Sequence, residues 1–221
     1  MTDVWRVARK DLLIEWRSKR VLAATIPFSF LVLLLFAFAL DPDRGQLGTV
    51  GPGLFWIAVL LASTMAVGRS AEIERQNGVR DGIRLLAVEP MAIYLGKVIA
   101  VTAQLILLMA VLFVGLVVLY GVHIVGMPVL VVSGIAAAVA IAAVGVVYAF
   151  LSGSGRRADM LLPVLVLPVL APIMIAATQS WEAGLDAGVG SGWDWTGLIG
   201  LFDLLYVSMG MLVFAPLMED A

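Results

Sequence analysis

Residues 93–119 read IYLGKVIAVTAQLILLMAVLFVGLVVL and contain a single charged side chain, Lys97. The hydrocarbon core of a bilayer is about 30 Å thick, and an α-helix of about 20 apolar residues crosses it. This stretch is therefore long enough and apolar enough to span a membrane. Five further runs share these properties, and we predict an all-α integral membrane protein with about six transmembrane helices: residues 21–40, 54–71, 93–119, 128–151, 160–178 and 196–218.

The composition supports a membrane protein and excludes several kinds of site. Of 221 residues, 62% are hydrophobic and 14% are charged, whereas soluble domains carry about 25% charged residues. The chain has no Cys and one His, which excludes disulfides, thiolate metal sites and multi-histidine metal centres. Gly96-Lys97 lacks the glycine spacing and the Ser or Thr of a phosphate-binding loop. We therefore predict no catalytic residues, no metal and no ATPase site in this chain.

The basic side chains are distributed asymmetrically. Every Lys and Arg except Arg44 lies before the first span, between spans two and three or at the facing ends of these two spans, or between spans four and five. Because Lys and Arg are enriched in cytoplasmic loops, we predict that these segments and both termini are cytoplasmic. Two cytoplasmic termini require an even number of spans, which agrees with six. The chain is then one transmembrane domain over residues 1–221.

The segment before the first span has the pattern of a helix that lies in the membrane interface. Its apolar residues recur at helical spacing: Trp5, Ala8, Leu12 and Trp16. Basic residues cluster on the other side: Arg6, Lys10 and Arg17. This amphipathic pattern predicts an interfacial helix within residues 1–20. The alternative is a basic tail that only sets the topology.

The cytoplasmic loop over residues 69–97 contains more apolar residues than a simple connection needs. They are Val79, Ile83, Leu85, Leu86 and Val88. Gly78 and Gly82 loosen the segment, and Pro90 ends it. We predict a short amphipathic helix around Arg80–Val88 that docks on a cytoplasmic protein. The alternative is that these side chains dip into the bilayer surface.

Two features of the spans concern helix geometry. The fifth span contains Pro163, Pro168 and Pro172, and each proline removes an intrahelical hydrogen bond. This helix is therefore predicted to kink or to unwind locally. Kinks often mark moving parts, but prolines are also common in transmembrane helices generally. The Gly- and Ala-rich stretch Gly134–Gly145 predicts close packing between helices.

A few polar and aromatic residues are candidates for contact with a substrate or partner. Asp203 lies within the sixth span, where a carboxylate is either functional or bonded to a neighbouring helix or the interface. His123, in an external loop, is either a haem ligand or an ordinary polar residue. The external tryptophans could stack on a flat ligand or form an aromatic belt: Trp181, Trp193 and Trp195.

Several stretches, taken in order, resemble one protein family. They are Arg9-Lys10-Asp11-Leu12 with Glu15 and Arg17, PGLFWIA at residues 52–58 followed by LLAS at 60–63, Asn77-Gly78 before Ile83–Leu86 and Pro90, Gly96-Lys97, and Val166-Leu167-Pro168-Val169 with Pro172-Ile173. Together they resemble the CcmB family, the haem exporter protein B subunit of the ABC transporter used in cytochrome c maturation.

The resemblance implies a fold and a set of partners. The fold would be that of an ABC-2 type exporter permease, with an interfacial helix before span one and a coupling helix between spans two and three. Two copies would pair with a CcmA-like ATPase that binds ATP. CcmC-like and CcmD-like membrane subunits and a CcmE-like haem chaperone would complete the system, and ATP hydrolysis would free the haem-loaded chaperone.

The resemblance also implies residue roles and a location. The ATPase would be coupled through one set of residues: Glu74, Asn77, Gly78, Arg80, Ile83, Leu85, Leu86 and Pro90. The location would be a bacterial inner membrane. We expect contact with membrane lipid, no nucleic acid and no cofactor held by this chain itself, although haem could be present in the complex.

Other functions remain open at this point. One is an ABC-2 permease for another substrate, such as a drug, lipid or polysaccharide. Another is a secondary transporter without an ATPase, which predicts midplane ionisable sites and a repeat between the two halves. A third is a membrane scaffold. Neighbouring genes and co-purification of an ATPase would separate these functions.

Overall fold

The computed structural model describes residues 2–18, 20–40, 44–76, 89–151, 156–185 and 190–219, and in these ranges all regular secondary structure is helical. The helices are α1 (Thr2–Ser18), α2 (Arg20–Ala39), α3 (Arg44–Gln76), α4 (Pro90–Tyr120), α5 (Met127–Leu151), α6 (Arg156–Gly184) and α7 (Trp193–Glu219).

Each predicted span corresponds to one helix, from α2 to α7, which confirms the all-α fold class. Among the described residues, four segments are long and apolar enough to cross a membrane: Leu47–Gly68, Pro90–Tyr120, Met127–Leu151 and Trp193–Phe214. Ala23–Ala39 is a shorter apolar helix, at the lower end of the length that spans a bilayer. The chain is therefore a multi-pass membrane protein, and the full count of six spans stays a prediction.

Helix α5 is the central helix of the bundle and contacts α3, α4, α6 and α7. Nearly every residue from Ala137 to Val146 is buried. A Cβ added at Gly145 would lie 2.7 Å from a methyl carbon of Val67 in α3. The small residues of α5 therefore let its neighbours approach closely, as the sequence predicts.

Both ends of α4 follow from its sequence. Pro90 stands in the first turn after the N-cap residue Glu89, where the missing N–H breaks no helical bond. At the other end Gly121 adopts a left-handed conformation with φ of 62°, which glycine tolerates best. The neighbouring Tyr120 hydroxyl donates to the carbonyl oxygen of Leu33 at 2.9 Å. This bond connects α4 to α2 near the ends that the sequence predicts to be external. The cytoplasmic and external ends of the helices are named after this orientation, which stays a prediction.

The cytoplasmic loop is shorter than the predicted range of residues 69–97. Helix α3 continues to Gln76 and α4 begins at Pro90, so both ends of that range are helical. Helices can extend beyond the bilayer core because their backbone hydrogen bonds are satisfied internally, whatever the solvent. The predicted coupling helix over Arg80–Val88 lies outside the described residues and stays a prediction.

Helix α6 runs without interruption from Arg156 to Gly184. The three prolines, Pro163, Pro168 and Pro172, therefore cause no local unwinding of its backbone, and a bend at these positions stays a prediction. The Tyr206 hydroxyl of α7 donates to the carbonyl oxygen of Val169 at 2.6 Å. A polar bond thus ties the proline-rich part of α6 to its neighbour.

The external ends of α5, α6 and α7 are joined by backbone contacts. The N–H groups of Val125 and Gly126 both donate to the carbonyl oxygen of Gly184, each at 2.9 Å. Gly192 adopts φ of 73°, and a Cβ there would lie 2.9 Å from the carbonyl oxygen of Ser180. Only glycine suits this turn, because both the conformation and the space exclude a side chain.

Candidate functional site at the cytoplasmic end

Helix α1 packs against the first turns of α4, and the contact requires a glycine. A Cβ added at Gly96 would lie 2.7 Å from the Cβ of Val7 and 2.9 Å from the carbonyl oxygen of Val4. Neither atom can rotate away, because one is fixed to the backbone and the other belongs to it. A side chain at position 96 would therefore push α1 away from α4.

The residues of the predicted apolar stripe of α1 do not share one environment. Ala8 is fully buried, but Trp5 is 62% exposed. Asp11 and Glu15 lie on the buried side, and Glu15 is only 5% exposed. The position of α1 in the membrane interface stays a prediction. Helical periodicity shows that a helix has distinct faces, but it does not say which face meets protein and which meets lipid.

Lys97 lies at the centre of this contact. Its side chain is almost fully buried, and its Nζ lies 3.6 Å from Oδ2 of Asp11. The same Nζ lies 5.8 Å from the ring centroid of Phe150 in α5, within reach of a cation–π attraction. The Phe150 ring packs edge-on against Phe214 of α7, with centroids 4.4 Å apart. Lys97 thus joins the cytoplasmic ends of α1, α4, α5 and α7.

The sequence interpretation missed this role of Lys97. It places Lys97 among the topology-setting charges of the cytoplasmic loop, whereas the structure buries it inside α4. A buried charge is tolerated only when it is paired. Two sequence features together could have indicated the pair. One is an isolated Lys in an apolar helix, and the other is the acidic residues of a preceding amphipathic helix.

Two of the predicted ATPase-coupling residues lie in described helices. Glu74 lies in the last turn of α3, and Pro90 is the first residue of α4. The others lie outside the described residues: Asn77, Gly78, Arg80, Ile83, Leu85 and Leu86. Lys97 follows Pro90 by about two helical turns, which is about 10 Å along the axis. The coupling role of the whole set stays a prediction.

The structure separates the predicted external contact residues from Asp203. His123 is exposed in the turn after α4, and Trp193 and Trp195 are exposed at the start of α7. Asp203 lies about two turns further along α7, and its carboxylate lies close to the backbone of Ala140 in α5. It therefore faces the seam between α5 and α7, and its role in substrate or partner contact stays a prediction.

Trp181 does not belong to an external aromatic belt. It is 4% exposed and lies in a buried aromatic cluster, stacked on Phe55 with ring centroids 4.3 Å apart. Trp56 and Phe113 contact the same indole ring, with ring centroids 5.3 Å and 5.7 Å from its centroid. The sequence cannot show that α3 and α4 cover Trp181. Beside the cluster lies an apolar groove of about 220 Å³.

The profile of the CcmB protein family matches residues 2–218. This chain belongs to the CcmB family. The resemblance seen in the sequence is thereby confirmed over almost the whole chain, a range that includes the residues of α1 and Lys97.

Curated relatives of this CcmB-family chain carry the name heme exporter protein B. The protein of Pseudomonas aeruginosa is 29% identical over 181 residues, which cover 80% of this chain and 79% of that one. The protein of Bradyrhizobium diazoefficiens is 27% identical over 185 residues, or 83% of this chain and 82% of that one. The match to the Escherichia coli K12 protein is 31% identical but covers less than half of either chain, 43% of this one and 44% of that one.

Proposed function

We propose that this chain is the transmembrane permease subunit of a CcmABCD-like ABC transporter in a bacterial inner membrane, with both termini in the cytoplasm. The observation that carries the proposal is the CcmB family match over residues 2–218. The name shared by the relatives, heme exporter protein B, supports haem as the molecule that the complex handles.

In this proposal the energy comes from a separate subunit. A CcmA-like ATPase binds and hydrolyses ATP, and two copies of the permease chain stand over it in the membrane. CcmC-like and CcmD-like membrane subunits complete the complex, and the output is release of a haem-loaded CcmE-like chaperone. The chain itself contributes no catalytic residue, and its part is to bind the ATPase and to change conformation.

The proposed route of coupling starts at the segment between α3 and α4. Residues 80–88 dock on the ATPase, and nucleotide-driven movement pulls on Pro90 at the start of α4. Because Gly96 and Lys97 hold α1 and the ends of α5 and α7 against α4, these elements move together. Binding at the cytoplasmic face thereby biases an equilibrium between two states of the bundle.

Substitution of an apolar residue in the docking segment tests this route. Ile83→Asp or Leu86→Asp is expected to lower coupled output, measured as haem-chaperone release per ATP hydrolysed, by about tenfold or more. The reason is that losing an apolar anchor at an interface costs at least about 2 kcal/mol. The amount of protein in the membrane should stay the same, because the segment lies outside the spans.

Ile124→Asp is the matched control. Ile124 is 43% exposed in the external turn, so the same new charge is placed at the opposite end of the bundle. This variant should retain full coupled activity. If the Ile83 and Leu86 variants also retained it in a purified complex, the docking segment would not be the coupling element.

A further inference from the structure

Acidic and basic side chains lie mainly on different faces of helix α1. In sequence, acidic and basic residues are mixed along this helix. In the structure Glu15 is buried and Asp11 is 19% exposed, and both lie on the side that packs against α4. The basic side chains are all exposed: Arg6, Arg9, Lys10 and Arg17. Asp3 is the one exposed acidic residue of α1 in the described part of the chain, and it pairs with Arg6 at 3.2 Å.

Apolar side chains lie among these exposed bases. Trp5, Leu13 and Ile14 are 62%, 46% and 42% exposed. A helix that presents tryptophan, aliphatic residues and bases together has the composition of a membrane-surface helix. The position of α1 relative to the bilayer also agrees with a membrane-surface helix. Helix α2 begins at Arg20, directly after α1, and continues as an apolar helix from Ala23. The outward face of α1 is therefore held at the level of the cytoplasmic headgroups.

We propose that the outward face of α1, defined by Arg6, Arg9, Lys10 and Arg17 with Trp5, Leu13 and Ile14, binds anionic phospholipid headgroups. Charge complementarity selects this ligand. Asp11 lies 3.6 Å from Lys97 on the inner side and 3.1 Å from Lys10 on the outer side. Lys97 offsets the charge of Asp11, so the charge that faces outwards is mainly positive. The exposed apolar residues favour a lipid surface over an acidic protein, because they can insert between headgroups. This property goes beyond the proposed transport function and does not require an ATPase.

Lipid nanodiscs provide the test, because the full chain can be studied without any partner. The chain has no native Cys, so Leu13→Cys gives a single site for an environment-sensitive fluorophore on the outward face. In discs of phosphatidylcholine mixed with phosphatidylglycerol we expect blue-shifted emission relative to phosphatidylcholine alone, and high salt should reverse the shift. Each basic residue near such a surface favours the bound state by about fivefold.

Two variants with opposite expected effects complete the experiment. Replacing all four bases by Gln (R6Q, R9Q, K10Q and R17Q) should abolish the response to phosphatidylglycerol. Asp3→Asn removes the exposed acidic residue and should increase that response by about fivefold at limiting phosphatidylglycerol.

Three results would overturn the proposal. One is equal emission in both kinds of disc, and another is a full phosphatidylglycerol response from the four-base variant. The third is a response to a poly-glutamate peptide in phosphatidylcholine discs as large as that to phosphatidylglycerol, which would assign the surface to an acidic protein instead.

Discussion

Lys97→Met is expected to release α1 from α4. Methionine fills a similar volume but removes one of the two cations beside Asp11, which keeps Lys10 at 3.1 Å. Leaving a buried charge without any partner costs about 3–5 kcal/mol, and the cost here is smaller, about 1–2 kcal/mol, because Asp11 is 19% exposed and still paired. The docked state should therefore lose about tenfold in population. Ala8→Cys reports this loss, because Ala8 is 0% exposed in the contact. Its rate of labelling by a maleimide should rise by about tenfold when Lys97→Met is added.

The chain supplies its own controls for this measurement. It has no native Cys, so labelling reports one site only. Leu13→Cys, on the exposed side of α1, should react rapidly whether or not Lys97 is present. Adding Asp11→Leu to Lys97→Met should restore part of the protection, because an apolar pair can replace a buried ion pair. Continued protection of Ala8→Cys in the Lys97→Met protein would show that the ion pair does not hold α1.

Gly96→Val is expected to displace α1 by steric overlap alone. The new side chain would meet the Cβ of Val7 and the carbonyl oxygen of Val4 at 2.7 Å and 2.9 Å. Overpacking a core usually costs about 1–3 kcal/mol, and here the backbone itself must move. We expect faster labelling of Ala8→Cys and a lower thermal midpoint of the purified protein.

Gly200→Val is the matched control for that prediction. Gly200 also lies in a helix, but a Cβ added there has no neighbour within 4 Å. The change in helix propensity is similar in the two variants, so the contact with α1 is what differs between them. If Gly96→Val and Gly200→Val changed labelling and thermal midpoint equally, α1 would not be packed as closely as described.

The sequence predicts the helices of this protein well because their signal is local. Apolar length alone marks α4, and Pro90 and Gly121 explain where it begins and ends. The small residues of α5 likewise predict a closely packed helix. Each of these conclusions depends on residues that are neighbours in the chain and on the thickness of the bilayer.

The candidate site could not be predicted in the same way, because its contacts join distant parts of the chain. Lys97 and Asp11 lie on different helices. An isolated Lys in an apolar helix indicates a buried partner, but the sequence does not say which carboxylate it meets. The exposure of Trp5 and the burial of Trp181 could not be predicted for the same reason. Periodicity defines the faces of a helix, and only the packing of the bundle decides which face is covered.

Placing Lys97 inside the bundle changes the interpretation of the N-terminal helix. A helix that only lies in the membrane interface would be positioned by the lipid alone. Helix α1 is instead fixed to the start of α4 through Gly96 and Lys97. In the proposed transporter α1 therefore moves together with α4, which the ATPase pulls. Binding of lipid headgroups to the outward face of α1, as proposed above, would then affect that movement.

The most direct test of the proposed function is affinity purification of this chain from its native membrane in mild detergent, with the co-purifying subunits identified and ATP hydrolysis and haem absorbance recorded. The account predicts a separate ATPase subunit in the complex, with ATP hydrolysis whose coupling to haem-chaperone release is lost in Ile83→Asp. A chain that purifies without any ATPase and supports haem-chaperone release independently of ATP would contradict it.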